Sequence, residues 1–434
     1  MPRPRATSRH LWLALGALGL GFLWTGCHSK DAPAVPLPQR AYIWQRDWRA
    51  PIAASLAEGG ELLHGVVVLA AEVEWRNGQP RPVRPAIEFP ALKASHLPVS
   101  LALRVAPYPG PFSESGPITE SLVRLAKELL AECTAAGVPP GELQLDFDCA
   151  QKKLSGYRHW VHVLRSAISP TPLVITTLPA WLSEAEFPAL AREAQHYVLQ
   201  VHSIISPRGE KYTSVCDPLL AQQWVAAASK MKVPFEIALP TYRNQAGYNS
   251  AGRIIGIASD SVRPIWPAGT RVQDFATDPT AMAGLVREWT THRPDFCQGL
   301  LWYRLPVRTD QNNWRWPTLK AVMAGRIPES RWSLRINGQP PPVENVAINL
   351  ADLTLHNDGE TEIPPQVEID LTWDAPGVRA TVEALPGWSV ATEGRTVRFV
   401  LQVEDKRTLP PGDERAMGWL RLEPAAPLHA KIIP

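Results

Sequence analysis

The chain is poor in the marks of a metal or cofactor enzyme. It has no Cys-x-x-Cys and no His-Glu-x-x-His, so a metal site has no support. No glycine fingerprint follows the first strand-like stretch, so a dinucleotide site has no support, and no cofactor is expected. Cysteine is scarce, with 5 in 434 residues. Beyond Cys27 there are Cys133, Cys149, Cys216 and Cys297, which allow three pairings that spacing does not choose between. Charge of one sign is lacking too. A formal net charge of +2 offers no basic field for nucleic acid. Phe and Tyr are few, 9 and 8, against 17 Trp, an excess that suits stacking on sugar rings and also the filling of large cores.

Residues 1–27 read as an export signal. Arg3, Arg5, Arg9 and His10 form a basic start, and 11–24 is an apolar run too short for a membrane span. The run ends at Gly26-Cys27. A small residue before such a cysteine resembles the bacterial lipoprotein signal, which implies cleavage before Cys27 and lipid on its sulfur and new amino group. Trp24 departs from that pattern's usual aliphatic residue. The expected location is the cell envelope, with membrane attachment through Cys27. The outer membrane is favoured over the inner, because His28 stands where an inner-membrane retention signal has Asp. Residues 28–40 carry Pro33, Pro36 and Pro38 and read as an extended tether.

Between 41 and 328 the pattern alternates. Strand candidates fall at 41–48, 65–73, 99–106, 142–148, 173–178, 197–203, 235–240 and 299–305, and helical periodicity at 118–136, 156–168, 184–195, 218–230 and 280–292. The clearest helix has Leu122, Leu125, Leu129 and Leu130 behind Thr119, a candidate cap. No clear helix separates the first two strands. Eight strands with interleaved helices fit an α/β fold, a (β/α)₈ TIM barrel, with an open doubly wound sheet as the rival. After 328 short alternating stretches take over, at 332–336, 345–350, 353–357, 366–373, 378–384 and 396–403. They predict a C-terminal β-sandwich of immunoglobulin-like type over 332–434.

The stretch that organises the barrel is Glu-Leu-Gln-Leu-Asp-Phe-Asp at 142–148. Strand period puts Gln144, Asp146 and Asp148 on one face, about 6.6 Å apart in succession. Paired carboxyls raise one another's pKa, the usual way to make an acid/base catalyst. The same pattern also fits a strand end that caps a helix or pairs with arginine. Barrel enzymes work at the C-terminal face. Parity there gathers Arg104, Gln144, Asp146, Asp148, Gln200 and His202, with Tyr242 after the seventh strand and Trp302 and Arg304 on the eighth. Arg104 is the natural partner of Asp146, which leaves Asp148 nearer the mouth. Glu72 and Asp47 are candidates to join. Glu236 shares the inward face at a strand start and reads as structural. Parity turns Cys149 away from Asp148. Long loops at 204–217 and 242–260 border this face, and the second has the turn formers of a hairpin.

These residues carry a resemblance. The signal ending at Cys27, Tyr42-Ile-Trp-Gln-Arg-Asp-Trp, Leu143-Gln-Leu-Asp-Phe-Asp-Cys and Gly299-Leu-Leu-Trp-Tyr-Arg-Leu-Pro resemble the bacterial lipoprotein family of domain of unknown function 3142, over roughly 41–326. More distantly, the fourth strand is similar to that of family-eighteen glycoside hydrolases. There an Asp-x-x-Asp-x-Asp-x-Glu run ends in the catalytic acid, and the neighbouring Asp orients the substrate's acetamido group. Two registers are open. In one, Asp146 and Asp148 match the last two aspartates and Ala150 takes the acid's place, which leaves no acid. In the other, Asp148 replaces the Glu, Asp146 is the orienting carboxylate and Gln144 stands for an Asp. Trp302 resembles the eighth-strand tryptophan under the sugar ring. The resemblance implies a glycan or polysaccharide partner. Parity and resemblance together leave two functions open: a glycoside hydrolase with Asp148 and Asp146 catalytic and Arg104, Gln144, Gln200, His202, Tyr242 and Trp302 holding substrate, or a non-catalytic glycan-binding or scaffold lipoprotein.

Overall fold

A computed structural model describes residues 36–48, 50–204, 211–259, 265–338, 347–364, 366–402 and 408–433. The signal segment and Cys27 lie outside the described residues, as does part of the 204–217 loop. Eight parallel strands close into a ring: β1 (Gln39–Ile43), β2 (Val66–Arg76), β3 (Val99–Val105), β4 (Leu143–Phe147), β5 (Leu173–Thr177), β6 (Tyr197–Gln200), β7 (Phe235–Pro240) and β8 (Cys297–Tyr303). β1 closes it, pairing Ala41 with Trp302 on one side and with Val66 on the other. This is the (β/α)₈ barrel. An open sheet would leave β1 and β8 unpaired.

The strands read as near-continuous apolar runs because both faces are covered. Outside the ring, Leu101, Leu103, Leu143, Leu145, Ile175, Leu199 and Ile237 pack beneath the helices. Helix Pro117–Ala135 buries Leu122, Leu125, Ala126, Leu129 and Cys133 on one stripe. It starts at Pro117, so Thr119 is not its cap but sits inside the first turn, its hydroxyl donating to Ser113 O at 2.6 Å. Helices Pro218–Ser229 and Pro279–Thr291 are capped by the side chains of Asp217 and Asp278. A short helix, Ala50–Gly59, does separate β1 from β2, and Ile52 and Leu56 anchor it. Inside the ring, Tyr42, Val67, Leu69, Ala102, Val174, Val198, Ala238 and Leu301 form a second apolar cluster.

The loop after β7 becomes a three-stranded antiparallel sheet, Arg243–Tyr248 between Ile254–Ala258 and Arg271–Ala276. The C-terminal region holds two four-stranded antiparallel sheets about one core that includes Trp373, Phe399, Leu371 and Leu420. Stretches 345–350 and 353–357 are one strand, Ala347–Asn357, and three strands unread in the sequence complete the sheets: Trp388–Glu393, Glu414–Pro427 and His429–Ile433. Asp413 ties this region to the barrel, 3.0 Å from Arg308 and 3.3 Å from Arg315. No described helix is long and apolar enough to cross a membrane.

Candidate active site

The barrel interior is layered by polarity. At the N-terminal end Arg40 is paired with Glu236 and, at 2.8 Å, with Glu142, and it donates to Ser100 Oγ at 3.1 Å. Glu236 is therefore structural, as its place at a strand start implies. One level up, Tyr42 Oη donates to Gln144 Oε1 at 2.6 Å, and Gln144 Nε2 donates to Glu142 Oε1 at 2.8 Å. Gln144 is 0% exposed. It faces inward as parity requires, buried below the charged layer.

The charged layer lies above. Glu72, Arg104 and Asp146 occupy one row across β2, β3 and β4, paired in register. Glu72 receives hydrogen bonds from Arg46 at 2.6 and 3.0 Å and lies 3.4 Å from Arg104. Arg104 Nε stands 3.9 Å from Asp146 Oδ2, so the expected Arg104–Asp146 pair is loose and Glu72 is the nearer partner. Thr176 Oγ1 on β5 donates to Asp146 Oδ1 at 2.6 Å. Burial, with added repulsion from Asp148 and Glu72, pushes the Asp146 carboxyl up to about 6 against the Thr176 bond and the Arg104 charge. Asp148 follows β4 directly, at the exposed rim. Burial in the concave mouth raises its pKa as well, with Arg104 opposing. Asp47 is exposed beyond β1.

The facing wall is neutral and aromatic. Trp44, Tyr42 and Tyr303 meet edge to face, with centroids 5.3 to 5.8 Å apart. His202 stacks on Tyr303 at 5.6 Å, and Tyr242 meets both rings. Tyr242 Oη lies 3.3 Å from His202 Nδ1, and burial holds the imidazole down at about 4. Gln200 is half-buried at the end of β6.

Two residues expected on the inward face of β8 lie elsewhere. Trp302 points outward into the helix layer, 0% exposed, its Nε1 donating to Gln39 Oε1 at 2.9 Å. Arg304, expected on the same inward face, is buried against Asp310 at 2.6 Å. The inward residues of β8 are Leu301 and Tyr303. Gly299 explains the parity. A Cβ there would come within 2.6 Å of Pro38 O and 3.4 Å of Glu236 Oε1, so only a glycine fits that inward position. Trp44, Thr176 and Tyr303 are site residues the sequence reading passed over. Trp44 lies two residues beyond Tyr42, and that spacing was its signal.

Cys133, Cys149, Cys216 and Cys297 are free and buried, and burial raises each thiol. Among the described residues no group of three or more His, Cys, Asp and Glu is arranged to hold a metal ion.

Residues 118–308 match the family described as Domain of unknown function (DUF3142). The DUF3142 segment carries Asp146, Asp148, Thr176, His202, Tyr242 and Tyr303, while Trp44, Glu72 and Arg104 precede it. The resemblance read over 41–326 is thus matched over a shorter span. No curated protein matches the chain. Among solved structures, chitinase ChiA74 from Bacillus thuringiensis is similar at 9% identity and TM-score 0.42, covering 92% of this chain and 100% of that one. The spore cortex-lytic enzyme SleL of Bacillus cereus is similar at 11% identity and TM-score 0.45, covering 67% and 74%. A fungal endo-beta-N-acetylglucosaminidase of glycosyl hydrolase family 18 is similar at 13% identity and TM-score 0.41, covering 66% and 96%.

Proposed function

We propose that the barrel mouth acts on a glycan, with Asp148 as the general acid and Asp146 as the carboxyl that shares its proton. The observation carrying this reading is the pair of raised carboxyls two residues apart on β4, set in a mouth whose opposite wall is Trp44, His202, Tyr242 and Tyr303. Two carboxyls this close keep one proton toward neutral pH, where a glycosidic oxygen needs it. The aromatic rings suit the apolar face of a sugar. The opposite wall is neutral, so the usual second carboxylate across the bond is supplied by no residue named there. Cleavage then calls on the substrate's own acetamido group, which Asp146 orients, as the family-eighteen resemblance implies. In the same reading the protein is an envelope lipoprotein held by lipid on Cys27, at the outer rather than the inner membrane.

A second reading is binding without turnover. Asp148 is one methylene shorter than the glutamate of the family-eighteen pattern, and Gln144 is committed to Tyr42. A glycan panel scored for binding and for release of new reducing ends, on wild type and Asp148→Asn, separates the two. Cleavage that disappears in the variant while binding persists supports the acid. Binding without cleavage in the wild type selects the second reading, and no binding at all overturns both.

A further inference from the structure

We propose that Thr176 biases the proton shared by the two β4 carboxyls toward Asp148. The inference rests on the reading of Asp148 as the acid and adds the residue that arms it. Thr176 is 4% exposed, and its hydroxyl is the one hydrogen-bond donor to Asp146 among the described residues. Asp148 receives none there. Arg104 does not substitute, since it stands 3.9 Å from Oδ2 and lies nearer to Glu72. A donor aimed at one carboxylate favours its ionised form and leaves the proton to its neighbour. The other groups whose fields reach Asp146 are Glu72 on β2, Asp148 just past β4, and Tyr42, Tyr157 and Tyr303. Tyr42 gives its hydroxyl to Gln144 Oε1 and Tyr157 gives its own to Leu145 O, so neither takes the place of Thr176.

The bond also fixes the carboxyl's position. Thr176 on β5 and Arg104 on β3 address different oxygens of Asp146, which spans the two flanking strands and leaves Asp148 alone at the tip. In the step this serves, the proton leaves Asp148 for the glycosidic oxygen as the bond from that oxygen to the anomeric carbon breaks. The bonding pair goes to that oxygen, the substrate's acetamido oxygen forms the new bond to the anomeric carbon, and Asp148 ends as a carboxylate.

The test uses the whole chain labelled at aspartate carboxyl carbons, with the two signals identified by their loss in Asp146→Asn and Asp148→Asn. Thr176→Val removes the donor at nearly constant volume, Thr176→Ala removes it without adding a methyl, and Thr176→Ser keeps it. In the Val and Ala variants the Asp146 midpoint rises by about one unit and the Asp148 midpoint falls. Ser restores the wild-type midpoints. Unchanged midpoints in whichever of Val or Ala folds overturn the proposal. On any glycan the wild type cleaves, Thr176→Val lowers kcat by roughly tenfold or more with KM little changed, as expected of a disarmed acid. An unchanged kcat there also overturns it. A wild type that cleaves nothing defeats the enzymatic reading, while the titration still decides the Thr176 effect.

Discussion

Tyr42 on β1 and Gln144 on β4 are joined across the barrel axis by a 2.6 Å hydrogen bond, with Tyr42 donating. Gln144 in turn donates to Glu142, which Arg40 holds below the usual carboxylate range against the opposing effect of burial. The first prediction follows from this chain. Tyr42→Phe leaves Gln144 Oε1 buried without its donor, which costs about 1–3 kcal/mol. Urea denaturation should show a lower midpoint with an unchanged slope. Equal stability would mean that water or another donor takes over the site.

Asp146 and Asp148 set the second prediction through linkage. The folded pKa of Asp146 is raised, from 3.8 to about 6. A raised carboxyl contributes stability that is present below the unfolded value and lost as pH rises through the folded one. The wild type should lose on the order of 2 kcal/mol between pH 4 and 6 from this group. Asp146→Asn should lack that decline and be no less stable than wild type at pH 7, because no tight Arg104 pair is broken. Asp148→Asn should unfold close to wild type. Both should lose cleavage. Thermal melts across pH check this, and an Asp146→Asn variant that is much weaker at pH 7 would restore a firm Arg104 pair.

Much of the barrel was legible because each strand is a short apolar run bounded by turns, and the inward row Arg104, Asp146, Asp148 and His202 follows from period two alone. β8 was not legible in the same way. Gly299-Leu-Leu-Trp-Tyr is apolar on both faces, so alternation cannot say which points inward. The deciding fact is the space at Gly299, which depends on Pro38 and Glu236 far away in sequence. Thr176 was hidden for a related reason. Leu-Val-Ile-Thr-Thr reads as a wholly buried strand, and only its neighbour on β4 gives one hydroxyl a role. The helix Ala50–Gly59 escaped because Ile52 and Leu56 are too few to mark a period.

The third prediction concerns residues outside the described structure. The basic start, the short apolar run and Gly26-Cys27 predict a mature chain that begins at lipidated Cys27. Intact-mass measurement of membrane-extracted protein should give the mass of the chain from Cys27 plus acyl groups. Cys27→Ala should lose that added mass and leave the membrane fraction. A wild-type chain without lipid would end the proposal.

Trp302 and Tyr303 are adjacent, point to opposite sides of β8, and should fail differently when replaced. Trp302 fills the layer between strand and helix, near Trp314, and bonds Gln39. Trp302→Ala opens a cavity there and should cost about 3–5 kcal/mol. Its effect on glycan affinity, measured on the folded fraction, should be small. Tyr303 lies against Tyr42, Trp44, His202 and Tyr242 on the inner wall. Tyr303→Leu keeps apolar bulk but loses ring contacts worth about 0.5–1.5 kcal/mol each, so its stability loss should be the smaller of the two. It removes the flat surface under a bound sugar, and affinity should fall roughly tenfold, equivalent to ~1.4 kcal/mol. Denaturation midpoints and binding isotherms on the two variants give the comparison. The reverse pattern, with affinity lost in Trp302→Ala and stability lost in Tyr303→Leu, would return the sugar platform to Trp302.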